Sequence, residues 1–317
     1  MSFATEVKAE VGQNILKPCC TKAQLAALVQ LCSTINFNNK GMNLNIRTEN
    51  ATTAKRIWKL MKDSYNPAME LSVFRKMKLK KNNIYVIQVK EKVSEILKDL
   101  TLFNESGLQE HPQYRLVRKE CCARAYLAGA FMASGSVNSP QKTSYHLEIS
   151  TLRETHAKYI QDLMHRFDLP AKCIVRRNQF VVYLKISEKI SDFMRCIGAH
   201  NSVMAFEDMR IQRDFKNSLT RIYNCEVANE MKTMEAARKQ SESIEILKQY
   251  HRFEHLDSKL YEAANLRLEF PEASLNELCQ IYEERTGTPI SKSGMKHRLA
   301  RLIELAEKIT KQNETSS

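Results

Sequence analysis

The chain has 317 residues, 27% of them charged and 43% hydrophobic, with a formal net charge of +13. That is enough for two globular domains with a sizeable core. No apolar run of about 18 residues offers a membrane span, and residues 1–10 carry acids instead of the apolar stretch of a secretory signal, so a cytoplasmic protein without membrane insertion is expected. A basic chain points to an anionic partner, nucleic acid foremost. The charge is uneven: residues 1–205 carry a formal +14, residues 206–250 zero and residues 251–317 −1.

In chain order, residues 1–205 show one pattern twice. In the first copy, residues 1–110, an apolar helix over Lys22 to Ser33 leads to extended segments at Ile35 to Phe37 and Met42 to Thr48, then to a helix from Thr52 to Tyr65. A basic hairpin follows, with Leu71 to Leu79 and Ile84 to Val89 alternating around Lys80-Lys81-Asn82-Asn83, and a helix from Glu91 to Leu100 closes the unit. The second copy, residues 111–205, repeats that order. A helix over Lys119 to Ala133 precedes the strand Tyr145 to Thr151, a helix from Arg153 to Phe167, a hairpin turning at Arg177-Asn178-Gln179 and a helix from Ser187 to Cys196. Leu44-x-Ile46-x-Thr48 matches Leu147-x-Ile149-x-Thr151.

A duplicated α-β-β-α-β-β-α unit predicts an α+β body of two sheets about a pseudo-twofold axis, with the first helix of each copy at the centre. Ala26 and Ala27 in one, and Ala128 and Gly129 in the other, are small enough for close backbone approach. Strand alternation places Lys76, Lys78 and Lys80 on one sheet face, and Arg176 with Arg177 occupies the related hairpin. These five are candidate phosphate contacts, against the alternative of a merely solvated face.

Residues 206–250 contain no Gly or Pro after Phe206, which predicts a helical connector rather than a flexible tether. Just beyond it, His251-Arg252-Phe253-Glu254-His255 spells the inverted zinc-protease pattern H-x-x-E-H. No third ligand accompanies it, and it is read as a chance match. Nine cysteines include the adjacent pairs Cys19-Cys20 and Cys121-Cys122, with no C-x-x-C. They are read as reduced thiols, mostly in the core, and no metal or cofactor site is assigned.

Residues 251–317 hold the sharpest signal. Ser274 and Glu277 form a capping box ahead of Leu275, Leu278, Ile281 and Tyr282 at helical spacing, and Gly287 and Pro289 mark a turn. Ser291 then caps a second helix on which Met295, Leu299, Leu302, Ile303 and Ala306 share an inward stripe. Ser293, His297 and Arg301 point outward with Lys296 and Arg298 on the flanks, and no acid lies between Glu284 and Glu304. Two capped helices with donors on the second read as an all-α helix-turn-helix domain that meets duplex DNA through Ser274, Ser291, Lys292, Ser293, Lys296, His297, Arg298 and Arg301.

Leu127-Ala128-Gly129-Ala130-Phe131-Met132-Ala133-Ser134-Gly135 resembles the nine-residue motif of LAGLIDADG homing endonucleases, and Leu25 to Ser33 is a weaker copy. The resemblance implies the duplicated fold. Members that cut DNA carry a metal-binding carboxylate at the eighth position, where this chain has Ser134 and Cys32. No Asp or Glu occurs between Glu10 and Glu49 or between Glu120 and Glu148, so no catalytic residues are assigned. Such a body followed by this helix-turn-helix resembles the WhiA family. Tyr126 to Gly135 with Tyr145-His146-Leu147-Glu148-Ile149 carry the likeness, together with Glu207-Asp208-Met209-Arg210, Asn224-Cys225-Glu226-Val227-Ala228-Asn229 and Ser291 to Leu299.

Membership implies a non-catalytic, sequence-specific DNA-binding protein of the nucleoid. It implies a transcriptional regulator linked to cell division, chromosome segregation and, in sporulating relatives, sporulation. Relatives are described as acting with a sigma factor of RNA polymerase, a contact for which no motif stands out. Two other readings remain beside it: a module docking a protein or ligand with secondary DNA binding, and a metal-dependent endonuclease with unrecognised ligands.

Overall fold

A computed structural model describes residues 2–38, 41–75, 83–142 and 144–314. After α1 (Phe3–Val11), the first copy runs α2 (Pro18–Cys32), β1 (Ser33–Asn38), β2 (Gly41–Thr48), α3 (Ala51–Tyr65), β3 (Met69–Arg75), β4 (Asn83–Val89) and α4 (Val93–Asp99). The small hairpin β5 (Phe103–Asn104) and β6 (Gly107–Leu108) and the short α5 (Tyr114–Val117) lead into the second copy. That copy comprises α6 (Glu120–Ser134), β7 (Gly135–Val137), β8 (Leu147–Thr151), α7 (Glu154–His165), β9 (Lys172–Arg176), β10 (Gln179–Leu184) and α8 (Ser187–Cys196). The sheets are antiparallel with matching strand orders, β1-β2-β4-β3 and β7-β8-β10-β9.

The strand register follows from alternation, because one face of each sheet covers helices. Leu44 pairs with Val89 and Ile46 with Ile87 in the first sheet, and Leu147 with Leu184 and Ile149 with Val182 in the second. All eight are buried. Around them the helices are locally determined. Asn50 caps α3 by accepting from the Thr53 amide at 3.0 Å, and Asn66 ends it in the left-handed region, where Asn is tolerated. The Arg177-Asn178 turn between β9 and β10 has φ of 50° and 59°, the signature of a two-residue hairpin turn matched to strand twist.

The central pair, α2 and α6, is buried on nearly every side, as helices enclosed by two sheets must be. Gly129 lets them meet: a Cβ there would lie 2.5 Å from the Gln24 carbonyl oxygen and 2.9 Å from Ala27 Cβ. The loop after α1 is held by Arg56, 6% exposed, which donates to Gln24 Oε1 at 2.7 Å, Asn14 O at 2.8 Å and Gly12 O at 3.2 Å. Helix α1, strand β7 and helix α5 lie outside the sequence reading. Lys76, Lys78 and Lys80 lie outside the described residues.

The chain divides into two units, Met1–Arg213 and Asp214–Ser317. Helix α9 (His200–Gln249) begins in the first and continues in the second, and residues 206–250 are mostly its turns. Glu10 receives its start, accepting from the amides of Asn201 at 2.7 Å and Ser202 at 2.9 Å.

The second unit continues through a 3-10 turn (Phe253–His255) to α10 (Ser258–Glu269), α11 (Leu275–Thr286) and α12 (Lys292–Glu314). Its core gathers Ile244, Leu247, Leu266, Leu278, Tyr282, Met295, Leu299 and Leu302. The H-x-x-E-H pattern has no shared helical face: His251 has φ of 52° beyond the end of α9, and His255 ends the 3-10 turn. Among the described residues, no helix is long and apolar enough to cross a membrane.

Candidate nucleic-acid interface

Helices α11 and α12 are fixed by backbone chemistry at both ends of their turn. The Glu277 amide donates to Ser274 Oγ at 3.3 Å while Glu277 Oε2 accepts from the Ser274 amide at 2.6 Å, closing the capping box. Gly287, at φ 68°, ends α11 in the left-handed conformation that glycine adopts without strain. Five residues, 287–291, turn the chain. The Gly294 amide then donates to Ser291 Oγ at 3.1 Å, capping α12.

Below this turn, Arg267 is 2% exposed. Its guanidinium donates to Gln240 Oε1 at 2.9 Å and to the carbonyls of Ala273 at 2.6 Å, Phe270 at 3.3 Å and Pro271 at 3.4 Å. The loop that delivers Ser274 is thereby tied to α9, and desolvation lowers the guanidinium pKa.

On α12, Met295, Leu299, Leu302 and Ala306 are buried and Ile303 is half-buried. Lys292, Ser293, Lys296, His297 and Arg301 are exposed. Ser291 and Ser293 share a 3.0 Å hydroxyl contact. Beside the capping serines Ser274 and Ser291, two basic candidates are engaged within the chain. Arg298 is half-buried with its guanidinium 4.9 Å over the Tyr282 ring, and its Nη1 is shielded from solvent without a hydrogen-bond partner. Arg301 donates to Glu304 Oε2 at 2.8 Å. The exposed donors of the first two turns are therefore Lys292, Lys296 and His297, together with the Ser293 hydroxyl shared with Ser291.

A cavity of about 210 Å³ lies beside the start of α11, lined by Lys232, Gln240, Arg267, Ser274, Asn276 and Lys292 among others. Lys232 comes from α9, sixty residues before Lys292, and no local spacing announces it. Two lysines beside the amide-rich start of a helix suit an anionic oxygen ligand such as a phosphate.

In the first unit, the ends of α2 and α6 that carry metal-binding acids in the endonucleases carry other chemistry. Burial pushes the Cys32 thiol up to about 12 and brings the nearby Lys8 ammonium down to about 8. The Ser134 hydroxyl is shielded and without a partner. A cavity of about 560 Å³ adjoins Ser134 and is also lined by Gln30, Thr34, Ser150, Arg153 and His156, with no Asp or Glu in its wall among the described residues. On the sheet, Arg176 and Arg177 are exposed, and Arg176 lies 3.8 Å from Glu148.

His156 sits at the edge of that cavity, 1% exposed, with Nε2 2.8 Å from the Tyr126 hydroxyl and Nδ1 3.2 Å from the Thr151 hydroxyl. Desolvation first, then the charges of His111 and Arg153, bring its pKa down to about 4 from 6.5. Between those values the unfolded chain holds a proton that the folded chain does not. Stability is therefore full above pH 6.5 and falls as the pH drops towards 4, by on the order of 3 kcal/mol from this group. Urea denaturation across that range should show the slope, and His156→Gln, which keeps a donor and an acceptor, should flatten it.

The WhiA N-terminal LAGLIDADG-like domain matches residues 18–103, the WhiA LAGLIDADG-like domain residues 123–216 and the WhiA C-terminal HTH domain residues 219–306. A relative from Bacillus cytotoxicus, named probable cell division protein WhiA, is 44% identical over 310 residues, covering 98% of this chain and 97% of the relative. One of the same name from Oceanobacillus iheyensis is also 44% identical, over 98% of each chain. The crystal structure of full-length WhiA from Thermatoga maritima shares the fold, with a TM-score of 0.59 at 21% identity, covering 97% of this chain and 99% of that one. With an acid-poor duplicated body, a capped helix-turn-helix and this identity across almost its whole length, the chain belongs to the WhiA family.

Proposed function

We propose that this chain is a non-catalytic, sequence-specific duplex-DNA-binding protein, a transcriptional regulator of cell division and chromosome segregation. The observation that carries the proposal is the exposed donor face of Lys292, Ser293, Lys296 and His297 on the second helix of the capped pair, opposite the buried Met295–Leu299 stripe. Side chains of this length at the start of a helix reach base edges and phosphates in a major groove, and no carboxylate in that stretch repels the backbone.

The cavity holding Lys232 and Lys292 supplies a phosphate anchor beside the reading helix. The basic first unit adds general affinity, and Arg176 and Arg177 are its described candidates for phosphate contact, with Lys76, Lys78 and Lys80 proposed beside them from the sequence alone. A cytoplasmic, nucleoid-associated protein follows from this reading, and a sigma factor of RNA polymerase is its proposed protein contact. The relatives' name, probable cell division protein, supports the cellular role.

Cleavage is disfavoured by the acid-free wall of the cavity beside Ser134, because metal-assisted phosphodiester hydrolysis needs anionic ligands there. Selection from a random duplex library by the intact chain tests the proposal. An enriched motif recovered uncut in the presence of magnesium is the expected result. Recovery of no motif, or of cleaved duplex, contradicts it.

A further inference from the structure

The start of the central helix pair holds a cluster of thiols whose chemistry DNA binding does not use, at the edge of the core. Cys19 and Cys20 are the second and third residues of α2, and Cys121 and Cys122 the second and third of α6. Pseudo-twofold symmetry brings the pairs together, and all four Sγ atoms lie within 4.8 Å of one another. Within the pairs the separations are 3.9 Å and 4.0 Å. All four are free thiols, Cys20 and Cys122 buried and Cys19 and Cys121 half-buried.

Tetrahedral zinc with sulfur at about 2.3 Å spaces its thiolates by about 3.8 Å. The distances within each pair already meet that value, and closing the rest takes a shift of less than about 1 Å. A polynuclear iron–sulfur cluster spreads thiolates bound to different irons wider than this, so the spacing favours one ion.

Both helices begin at the cluster. The N-cap residues are Lys17 and Lys119, neither of which has a side-chain acceptor, and no side chain caps either helix. The Cys20 amide donates to the Lys17 carbonyl at 2.9 Å and the Cys122 amide to the Lys119 carbonyl at 3.0 Å, so it is the positive ends of the α2 and α6 dipoles that favour anionic sulfur here. The two half-buried cysteines leave an entry path, and the two buried ones shield the ion from water.

We propose that Cys19, Cys20, Cys121 and Cys122 bind a single zinc ion that clamps together the starts of α2 and α6, joining the two halves of the duplicated body. Binding needs four deprotonated sulfurs, so uptake by the reduced protein releases the thiol protons and leaves every cysteine in its reduced oxidation state. A ligand set drawn from positions about one hundred residues apart carries no local C-x-x-C spacing, which is why it is silent in the sequence.

The test uses the full chain, purified reduced and without chelators. Elemental analysis should find about one zinc per chain. After exchange, cobalt should give sulfur-to-metal charge transfer in the near ultraviolet and the strong visible bands of tetrahedral thiolate coordination. The half-buried pair exchanged together, Cys19→Ser with Cys121→Ser, should abolish both signals, whereas Cys225→Ser, at an exposed site on α9, should leave them intact. A wild-type chain that holds no zinc and gives no thiolate–cobalt spectrum overturns the proposal without reliance on any variant. So does mass spectrometry showing these cysteines joined as disulfides in the freshly reduced protein, or a metal that survives in the Cys19/Cys121 variant.

Discussion

Arg267→Met is expected to destabilise the second unit by about 3 kcal/mol, since each buried acceptor left without a donor costs about 1–3 kcal/mol and part of the loop can relax. The guanidinium satisfies Gln240 Oε1 and three carbonyls of the 270–273 loop. Methionine fills similar volume yet donates nothing, so four acceptors lose their partner in a site that water reaches poorly. Arg267→Lys keeps the charge but not the planar fork, and should fall between wild type and Met.

The loss is local. Because Arg267 holds the loop that presents Ser274, the start of α11 loosens and duplex affinity falls with stability. The single tryptophan, Trp58, lies on α3 in the first unit. The variant should therefore shift the helical circular-dichroism transition of the second unit while leaving the Trp58 fluorescence transition in place. A shift of the fluorescence transition alone would contradict this assignment.

Gly129→Ala should do the reverse. Its Cβ would fall 2.5 Å from the Gln24 carbonyl oxygen, a backbone atom that cannot rotate away, and 2.9 Å from Ala27 Cβ. The central helices must separate, at a cost of about 3 kcal/mol. For a unit of this size, that lowers the midpoint of thermal unfolding by roughly 6–12 °C, read from Trp58. The intrinsic helix preference of alanine over glycine, about 1 kcal/mol, opposes the change without cancelling it. Gly287→Ala tests the other use of glycine: nothing lies within 4 Å of its Cβ position, and only the left-handed φ of 68° resists substitution. Its cost should be about 1 kcal/mol, close to that of one residue forced into the left-handed region.

Much of this architecture is legible in the chain because the signals are local. Ser274 with Glu277, Ser291 and Gly287 announce the ends of α11 and α12, and those ends lie where their chemistry predicts. The repeated Leu-x-Ile-x-Thr marks the second strand of each half because its register must bury the same face twice. Gly129 reads as a close approach for the same reason of period.

What escapes is non-local. Arg298 and Lys296 look alike in sequence, and only the proximity of Tyr282 on α11 turns one inward. Nothing in the local sequence marks Arg56 or Arg267 as buried: Arg56 finds carbonyls in the loop after α1, and Arg267 joins the loop that follows its own helix to Gln240 on α9. Lys232 joins Lys292 through packing alone, and the four-cysteine cluster requires the pseudo-twofold axis. Helix α1 is a different case, since Phe3, Val7 and Val11 do recur at helical spacing and are buried, but nine residues give too short a pattern to stand out.

In the proposed function, α12 reads duplex DNA while the basic first unit adds general affinity. Fluorescence anisotropy across a salt series tests it most directly, comparing a selected duplex with a random one for the intact chain and a Lys292/Lys296/His297→Ala variant. Arg298 is left in place because its ring contact makes it part of the packing. The variant is expected to lose at least about tenfold of its preference for the selected duplex while retaining salt-sensitive binding to the random one. A folded variant that keeps the full preference would place sequence reading elsewhere in the chain and contradict the account.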